Sequence, residues 1–290
     1  MPELQRDGSV DVDEQVGEQK YAAVASVAAD ALVGLDFDGT LSPIVVDPST
    51  ARIHPEAAEV LIALGARVKA LAIVTGRPAG QVVELGGLAA IADALAEMGK
   101  ELYVFGQYGN ERWSGSDRVV VGPPPPEGLA AFEKALPEVL SAHGAGEAYI
   151  EEKGLAVGVH TRRFPDPDGL AARLLPPLTS LAAEHGLMIE PGKQVIEVRA
   201  PGMHKGNAIE TLVAEVAPGA ILVGGDDLGD IEAFEAVKAW GRSTGSPTLL
   251  VYSHAGSDRG PLADLADLEV DGPDGVLELL RRLTADAAQL

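Results

Sequence analysis

The chain has no cysteine at any of its 290 positions, which excludes disulfides and any thiolate-bound metal. Aromatic residues make up only 4%, so alanine, valine and leucine must fill the core. That composition suits small helices packed on a sheet. No apolar run approaches the ~18 residues that a membrane-spanning helix needs, and no signal-peptide pattern opens the chain; a cytoplasmic location is expected. Positive charge is scarce: 22 Lys and Arg stand against 44 Asp and Glu, a formal charge of −22. This balance argues against nucleic acid or an anionic membrane as a partner. It also means that a phosphate-binding site has to gather its few cations locally. A chain of this length folds as one large domain or two moderate ones, with ample core in either case.

Against that background one stretch stands out. Ala31 to Leu35 is a short apolar run, and it passes directly into Asp36-Phe37-Asp38-Gly39-Thr40-Leu41. A run this short, closed by a turn signal, reads as a strand buried on both faces. Ligands of parallel sheets bind at the carboxyl ends of strands, so Asp36 and Asp38 sit where chemistry is expected. Two acids sharing one space repel each other unless a cation or a proton separates them. Taken alone, the Asp-x-Asp pair fits an acidic turn, or the metal-binding pair of a nucleotide-sugar glycosyltransferase, equally well.

The rest of the chain separates into textures. Residues 1–20 are polar, acidic and aperiodic, and read as a disordered tail, with a helix from about Tyr21. Glu56 to Val68 has helical periodicity after Pro55. Ala70 to Val74 is a second apolar strand, ending in Thr75-Gly76-Arg77-Pro78, where a hydroxyl and exposed N–H groups at a helix start make an anion cradle. Leu102 to Phe105 is a third strand, followed by Gly106 to Arg112. A four-proline run, Pro123 to Pro126, then marks a boundary.

Beyond it the pattern becomes antiparallel. There is a helix from Leu129 to about His143, an alternating run from Tyr149 to Arg162, a helix from Leu170 to His185, and a hairpin turning at Pro191-Gly192. Parallel texture resumes at Lys205, with a strand Ala220 to Val223 closing on Gly224-Gly225-Asp226-Asp227-Leu228-Gly229-Asp230. The expected fold is therefore α/β, a Rossmann-like parallel-sheet core over 21–112 and 201–290. Residues 113–200 form an inserted domain of two helices on an antiparallel sheet.

Four polar clusters thus fall at the ends or starts of elements in one α/β layer: Asp36 with Asp38, Thr75, Lys205, and Asp226 with Asp230. A phosphate dianion needs a hydroxyl and a cation to hold it, and a divalent ion to neutralise charge that develops during transfer. Aspartates supply the oxygen ligands that Mg²⁺ prefers.

In this order the clusters resemble the four motifs of haloacid dehalogenase-type phosphatases, and the insert resembles their cap domains. The likeness narrows to the trehalose-6-phosphate phosphatase family. Gly106-Gln107-Tyr108-Gly109-Asn110-Glu111 is similar to its Gly-x-His-Gly-x-Glu motif, with Tyr108 in place of histidine. Glu151-Glu152-Lys153-Gly154, His160-Thr161-Arg162 and Gly192-Lys193-x-x-x-Glu197 are similar to its cap motifs.

The resemblance implies that Asp36 is the nucleophile and Asp38 the general acid and base, with Thr75 and Lys205 holding the phosphoryl group. Mg²⁺ is implied on Asp36, the Asp38 carbonyl, Asp226 and, through water, Asp230. Arg77, Gln107, Tyr108, Arg112, Glu151, Lys153, Arg162, Lys193 and Glu197 are implied as substrate contacts. The expected partner is a small sugar phosphate, bound by a monomer. Phosphatases of sucrose phosphate or mannosylglycerate phosphate, a phosphomutase, and a non-catalytic sugar-phosphate-binding regulator stay open as alternatives.

Overall fold

Apolar strands alternating with short helices build the first stretch of the chain: α1 (Ser9–Ala25), β1 (Ala31–Leu35), α2 (Ala57–Gly65), β2 (Ala70–Val74), α3 (Ala79–Leu85), α4 (Leu88–Ala96), β3 (Leu102–Gly106) and β4 (Glu111–Ser114). Next come α5 (Leu129–Ala142), β5 (Tyr149–Glu152), β6 (Ala156–His160), α6 (Pro167–Glu184), β7 (Met188–Gly192) and β8 (Val195–Arg199). The chain closes with α7 (Lys205–Val216), β9 (Ala220–Gly225), α8 (Ile231–Thr244), β10 (Thr248–His254), β11 (Leu268–Asp271) and α9 (Gly272–Ala287). The computed structural model describes residues 9–45, 47–192, 194–254 and 260–289. They fall into two compact units, one of residues up to Val120 and from His204 onward, the other Val121–Met203.

The first unit is a seven-stranded sheet ordered β11-β10-β9-β1-β2-β3-β4. Every neighbouring pair is parallel except β3 with β4. Successive side chains of a strand point to opposite faces, and β1 obeys this. Val33 and Leu35 pack with Leu61, Leu64, Leu95 and Leu280 on one face, while Leu32 packs with Ile209, Leu212 and Phe234 on the other. Helices thus cover both faces, which is why the strands read as unbroken apolar runs. Each fully buried leucine contributes about 1.5–3 kcal/mol relative to exposure. Among the described residues no single helix is long and apolar enough to cross a membrane.

The second unit is a four-stranded antiparallel sheet ordered β5-β6-β8-β7. Val157, Val159, Ile196 and Val198 face its two helices and pack with Phe132, Leu136, Leu174 and Leu178. The opposite face carries Glu151, Gly158, Glu197 and Glu190 in one cross-strand row.

Four expectations need correction. The expected disordered tail over 1–20 is in part a helix, α1; residues 1–8 lie outside the described set. Among its residues whose burial is described, the buried side chains are Tyr21, Val24 and Ala25, so the periodicity there is faint. It lies close to the sheet edge, because a Cβ on Gly17 would fall 2.2 Å from the Asp267 carbonyl oxygen, and Lys20 pairs with Asp267 at 2.6 Å.

Residues 113 and 114, expected in the insert, belong to β4 and pair with β3 in the register Val104↔Trp113. The run Tyr149 to Arg162 is two strands, broken where Gly154 takes a φ of +84°. Finally, Pro191 and Gly192 do not make the hairpin turn: they lie within β7, opposite Ile196 and Val195. Proline is tolerated there because β7 is an edge strand.

Candidate active site

The strand order reverses at β1, which has β2 on one side and β9 on the other. Crevices open at such switch points, beyond the carboxyl ends of the strands. Asp36 follows β1 directly, and its N–H donates to the Gly224 carbonyl at 2.9 Å, so the ladder with β9 runs one residue past the strand. Asp226 follows β9. The chain turns sharply at Gly39, where φ is +71° and a Cβ would fall 2.1 Å from Asp226 Oδ2. Only glycine lets the two loops approach this closely.

Lys205 opens α7 and lies almost fully buried between two acids. Its Nζ is 2.9 Å from Asp36 Oδ1 and 2.7 Å from Asp230 Oδ1. The other oxygen of Asp230 accepts from the backbone N–H of Asp226 at 3.1 Å and of Asp227 at 3.4 Å. Asp227 in turn accepts from Gly229 N–H at 2.9 Å, completing a capping box. That local bonding explains why an acidic loop holds one shape around a lysine.

Asp36, Asp226 and Asp230 can each offer a carboxylate oxygen within 4.8 Å of the others. Three carboxylates meet one ammonium, and burial together with this excess raises two of them, Asp36 and Asp226. Burial holds the Asp36 carboxyl well above its ordinary range, and the Asp230, Asp227 and Asp38 carboxylates add to the shift that Lys205 opposes. Asp226 is raised for the same reasons: burial first, then Asp227, Asp36 and Asp230. For Lys205 burial favours the neutral amine, but Asp230 and Asp36 outweigh it and hold the ammonium well above its usual range. An all-oxygen donor set with surplus negative charge fits a hard divalent cation. The residues present therefore suit the metal that the motifs imply.

Asp38 faces elsewhere. Its two oxygens accept from Arg77, Nε to Oδ2 at 2.5 Å and Nη2 to Oδ1 at 2.8 Å, a two-pronged pairing typical of guanidinium and carboxylate. Arg77 also donates to the Pro48 carbonyl at 2.9 Å and lies over the Phe37 ring. Arg77, expected as a substrate contact, engages Asp38 in this structure. Thr75 is buried, and its Oγ1 accepts from the Arg77 N–H at 3.2 Å.

Gln107 is buried and Tyr108 partly so; their N–H groups donate to the Arg77 and Thr75 carbonyls. Arg112 stands apart, with its guanidinium on Asp117 and Glu215 at 3.2 and 3.1 Å. Glu111 was not singled out from sequence, yet it accepts from Ala79 N–H at 2.7 Å and so anchors the start of α3 behind Arg77. Its place three residues beyond Tyr108 in the Gly-x-x-Gly-x-Glu motif was the available signal.

In the second unit Glu151, Lys153 and Glu197 come together on the sheet face away from the helices. Lys153 Nζ is 2.5 Å from Glu197 Oε2 and 4.0 Å from Glu151 Oε2. His160, another residue not singled out for a role, lies 2.9 Å from Glu151 Oε2 and stacks obliquely on Tyr149. Arg162 follows β6 and is half-buried. Lys193 lies outside the described residues.

A family model described as trehalose-phosphatase matches residues 34–101 and 141–270, more than half of the chain. The trehalose-phosphate phosphatase of Mycobacterium tuberculosis is 28% identical over 265 residues, covering 89% of this chain and 62% of its own length. The C-terminal domain of C. albicans trehalose-6-phosphate phosphatase has the same fold, with a TM-score of 0.71 at 22% identity over 94% of this chain and 96% of that one. A haloacid dehalogenase-like hydrolase from Bacteroides thetaiotaomicron shares the fold at TM-score 0.58 and 16% identity, over 87% and 98%. The curated relatives matched first are longer: this chain spans 18% of an uncharacterized glycosyl hydrolase of M. tuberculosis, and 62% of the phosphatase.

Proposed function

The chain belongs to the trehalose-phosphatase family, and on that premise we propose that it hydrolyses trehalose 6-phosphate to trehalose and inorganic phosphate. The observation that carries the reading is Lys205 held between Asp36 and Asp230, with Asp226 alongside, at the point where the strand order reverses. A lysine buried among surplus carboxylates suits the binding of a phosphoryl dianion together with a divalent cation.

The Asp36 oxygen not engaged by Lys205 attacks phosphorus. As that bond forms, the bond from phosphorus to the sugar oxygen breaks, and Asp38 delivers its proton to the departing oxygen. Water then attacks the aspartyl-phosphate, giving its proton to Asp38 as the bond from phosphorus to Asp36 breaks. Both Asp38 oxygens accept from Arg77 in this structure, so the carboxyl has to release the guanidinium before it can donate. Thr75 and Lys205 steady the phosphoryl oxygens. Asp36 and Asp226, with Asp230 in support, would hold Mg²⁺, which would supply positive charge against the charge building on the phosphoryl group.

Sugar selection falls to Glu151, Lys153 and Glu197, joined by Arg162 and Lys193. Charged hydrogen-bonding groups reward recognition of a many-hydroxyl ligand.

Phosphate release from a panel, with Mg²⁺ present, tests the proposal. The panel comprises trehalose 6-phosphate, glucose 6-phosphate, sucrose phosphate and an aryl phosphate. The highest kcat/KM is expected on trehalose 6-phosphate. A clear preference for another sugar phosphate would overturn the substrate while keeping the reaction, and no release from any of them would overturn both.

A further inference from the structure

One patch of the first unit gathers positive charge with little set against it. Lys238 and Arg242 stand four residues apart on α8, so they share a face of the helix, and like charges at that spacing repel. Neither makes an ion pair or a side-chain hydrogen bond among the described residues. Cations near the end of a helix commonly answer its last carbonyls, but two of those are met without them. The Trp240 carbonyl accepts from the hydroxyls of Ser243 and Thr244 at 2.8 and 2.9 Å. The Gly241 carbonyl accepts from the Gly245 N–H at 2.9 Å.

The two side chains line a cleft of about 360 Å³ with Lys20, Ser246 and Thr248, and no acid is among its described lining residues. Lys20 reaches it from α1 and is held in place: its Nζ lies 2.6 Å from Asp267 Oδ1, while Asp267 Oδ2 accepts from the Leu250 N–H at 3.0 Å. An ammonium has three donors, so one carboxylate oxygen does not exhaust Lys20. The hydroxyls of Ser246 and Thr248 make no hydrogen bond to a described residue. The cleft is therefore walled by donors that lack acceptors, in a chain where acids outnumber Lys and Arg 44 to 22.

Its position separates it from the candidate active site. Thr248 opens β10, which runs parallel to β9. The cleft thus lies at the amino end of the sheet, whereas Asp36 and Asp226 follow the carboxyl ends of β1 and β9. A large polyanion is repelled by a formal charge of −22. A small anion feels chiefly what lies within about 8 Å, the screening length at physiological salt.

We infer that this cleft is an anion site remote from the chemistry: Lys238, Arg242 and Lys20, with the Ser246 and Thr248 hydroxyls, bind the phosphoryl group of a small molecule. A guanidinium meets two oxygens of such a group at once. Pockets of about 300–1,000 Å³ are the usual size for small organic ligands, so the cleft has room for a phosphate monoester as well as for the free ion.

The test uses the full chain, freed of metal and of chelator by buffer exchange. Amide NMR signals of Gly241, Gly245, Ser246 and Thr248 are followed during titration with inorganic phosphate, with glucose 6-phosphate, and with sodium chloride at matched ionic strength. Saturable shifts are expected with both phosphates and not with chloride. Lys238→Gln/Arg242→Gln keeps the length of the side chains and removes the charge; it should weaken binding at least about tenfold, the scale of one hydrogen bond to a charged group, with an unchanged melting midpoint. Arg242→Gln alone, on an exposed position, should give a smaller loss in the same direction. Tighter binding of glucose 6-phosphate than of phosphate supports a monoester as occupant, and equal binding supports the free ion. Shifts no larger than those from chloride, or the same affinity in the double variant, would overturn the inference. No turnover is measured, so either result leaves the phosphatase reading as it stands.

Discussion

The two units each gather buried acids around a lysine, and they do so with opposite bookkeeping. In the first, Asp36, Asp226 and Asp230 surround Lys205, so negative charge is in surplus and two of the carboxyls are pushed well above their ordinary range. In the second, Lys153 answers Glu197 at 2.5 Å, and His160 answers Glu151 at 2.9 Å, so each acid has its own partner. A surplus is unstable until a cation arrives, and a cation there can act on a phosphoryl group. Acids that each have a hydrogen-bond partner have less need of one. With those partners they offer donors and acceptors at fixed positions, which suits an uncharged, hydroxyl-rich ligand. Surplus negative charge goes with the proposed chemistry, and acids paired by hydrogen bonds go with the proposed recognition.

The largest break in this contrast comes from removing the nucleophile. Asp36→Asn keeps the volume and loses the attacking oxygen, so turnover should fall by at least about a thousandfold while circular dichroism and the melting curve report a folded chain. A folded variant that keeps more than a tenth of the wild-type rate would remove Asp36 from the mechanism. Withdrawal of metal comes next. Chelation should abolish activity and added Mg²⁺ should restore it, because three carboxylates around one lysine repel a phosphate dianion without help. Full turnover in protein shown to be metal-free would contradict the surplus-charge argument.

A smaller effect sharpens the recognition half. Lys153→Ala or Glu197→Ala should lower kcat/KM for trehalose 6-phosphate by about 1–3 kcal/mol each, the cost of leaving a buried partner of a charged hydrogen bond unmet. An aryl phosphate offers no sugar hydroxyls and should be hydrolysed almost as well as by wild type. Equal losses on both substrates would make this paired set structural.

What the sequence discloses follows the same division. Asp36, Thr75, Lys205, Asp226 and Asp230 are legible because each sits where a short apolar run stops or a helix starts, and in parallel sheets those stops converge. The helix over Ser9–Ala25 is not legible, because among its described residues the buried ones are Tyr21, Val24, Ala25 and a glycine, Gly17, whose missing Cβ is the point. The pairing of Asp38 with Arg77 is likewise hidden, since 39 residues separate them and either could have met a ligand. Arg112 is implied as a substrate contact by the family resemblance; that Glu215, 103 residues away on α7, meets its guanidinium is not legible in the chain. Local pattern locates strand ends; it does not say which distant acid reaches a given cation first.

The smallest expected effect bears on the cost of the surplus itself. In metal-free protein the raised carboxyls of Asp36 and Asp226 mean that the folded chain holds protons which the unfolded chain releases. The sign follows from linkage: stability falls with rising pH wherever the folded state binds more protons. The contribution of these groups is complete below the ordinary carboxyl value of 3.8 and is lost as pH rises through the raised folded values. At neutral pH an ionised Asp226 is therefore a liability that only a cation offsets. Asp226→Asn removes the charge and keeps the shape, so the metal-free variant should melt higher than metal-free wild type at pH 7. An increment of about 1 kcal/mol corresponds to roughly 2–4 °C in a domain of this size. Added Mg²⁺ should raise the wild-type midpoint and leave the variant nearly unmoved, because ligand binding stabilises only the state that binds it. The gap between the two metal-free proteins should also close as pH is lowered towards 4, where both carry a neutral group at position 226. A variant that melts lower at every pH, and gains from Mg²⁺ as wild type does, would show that Asp226 is held for packing against Gly39 and not for its charge.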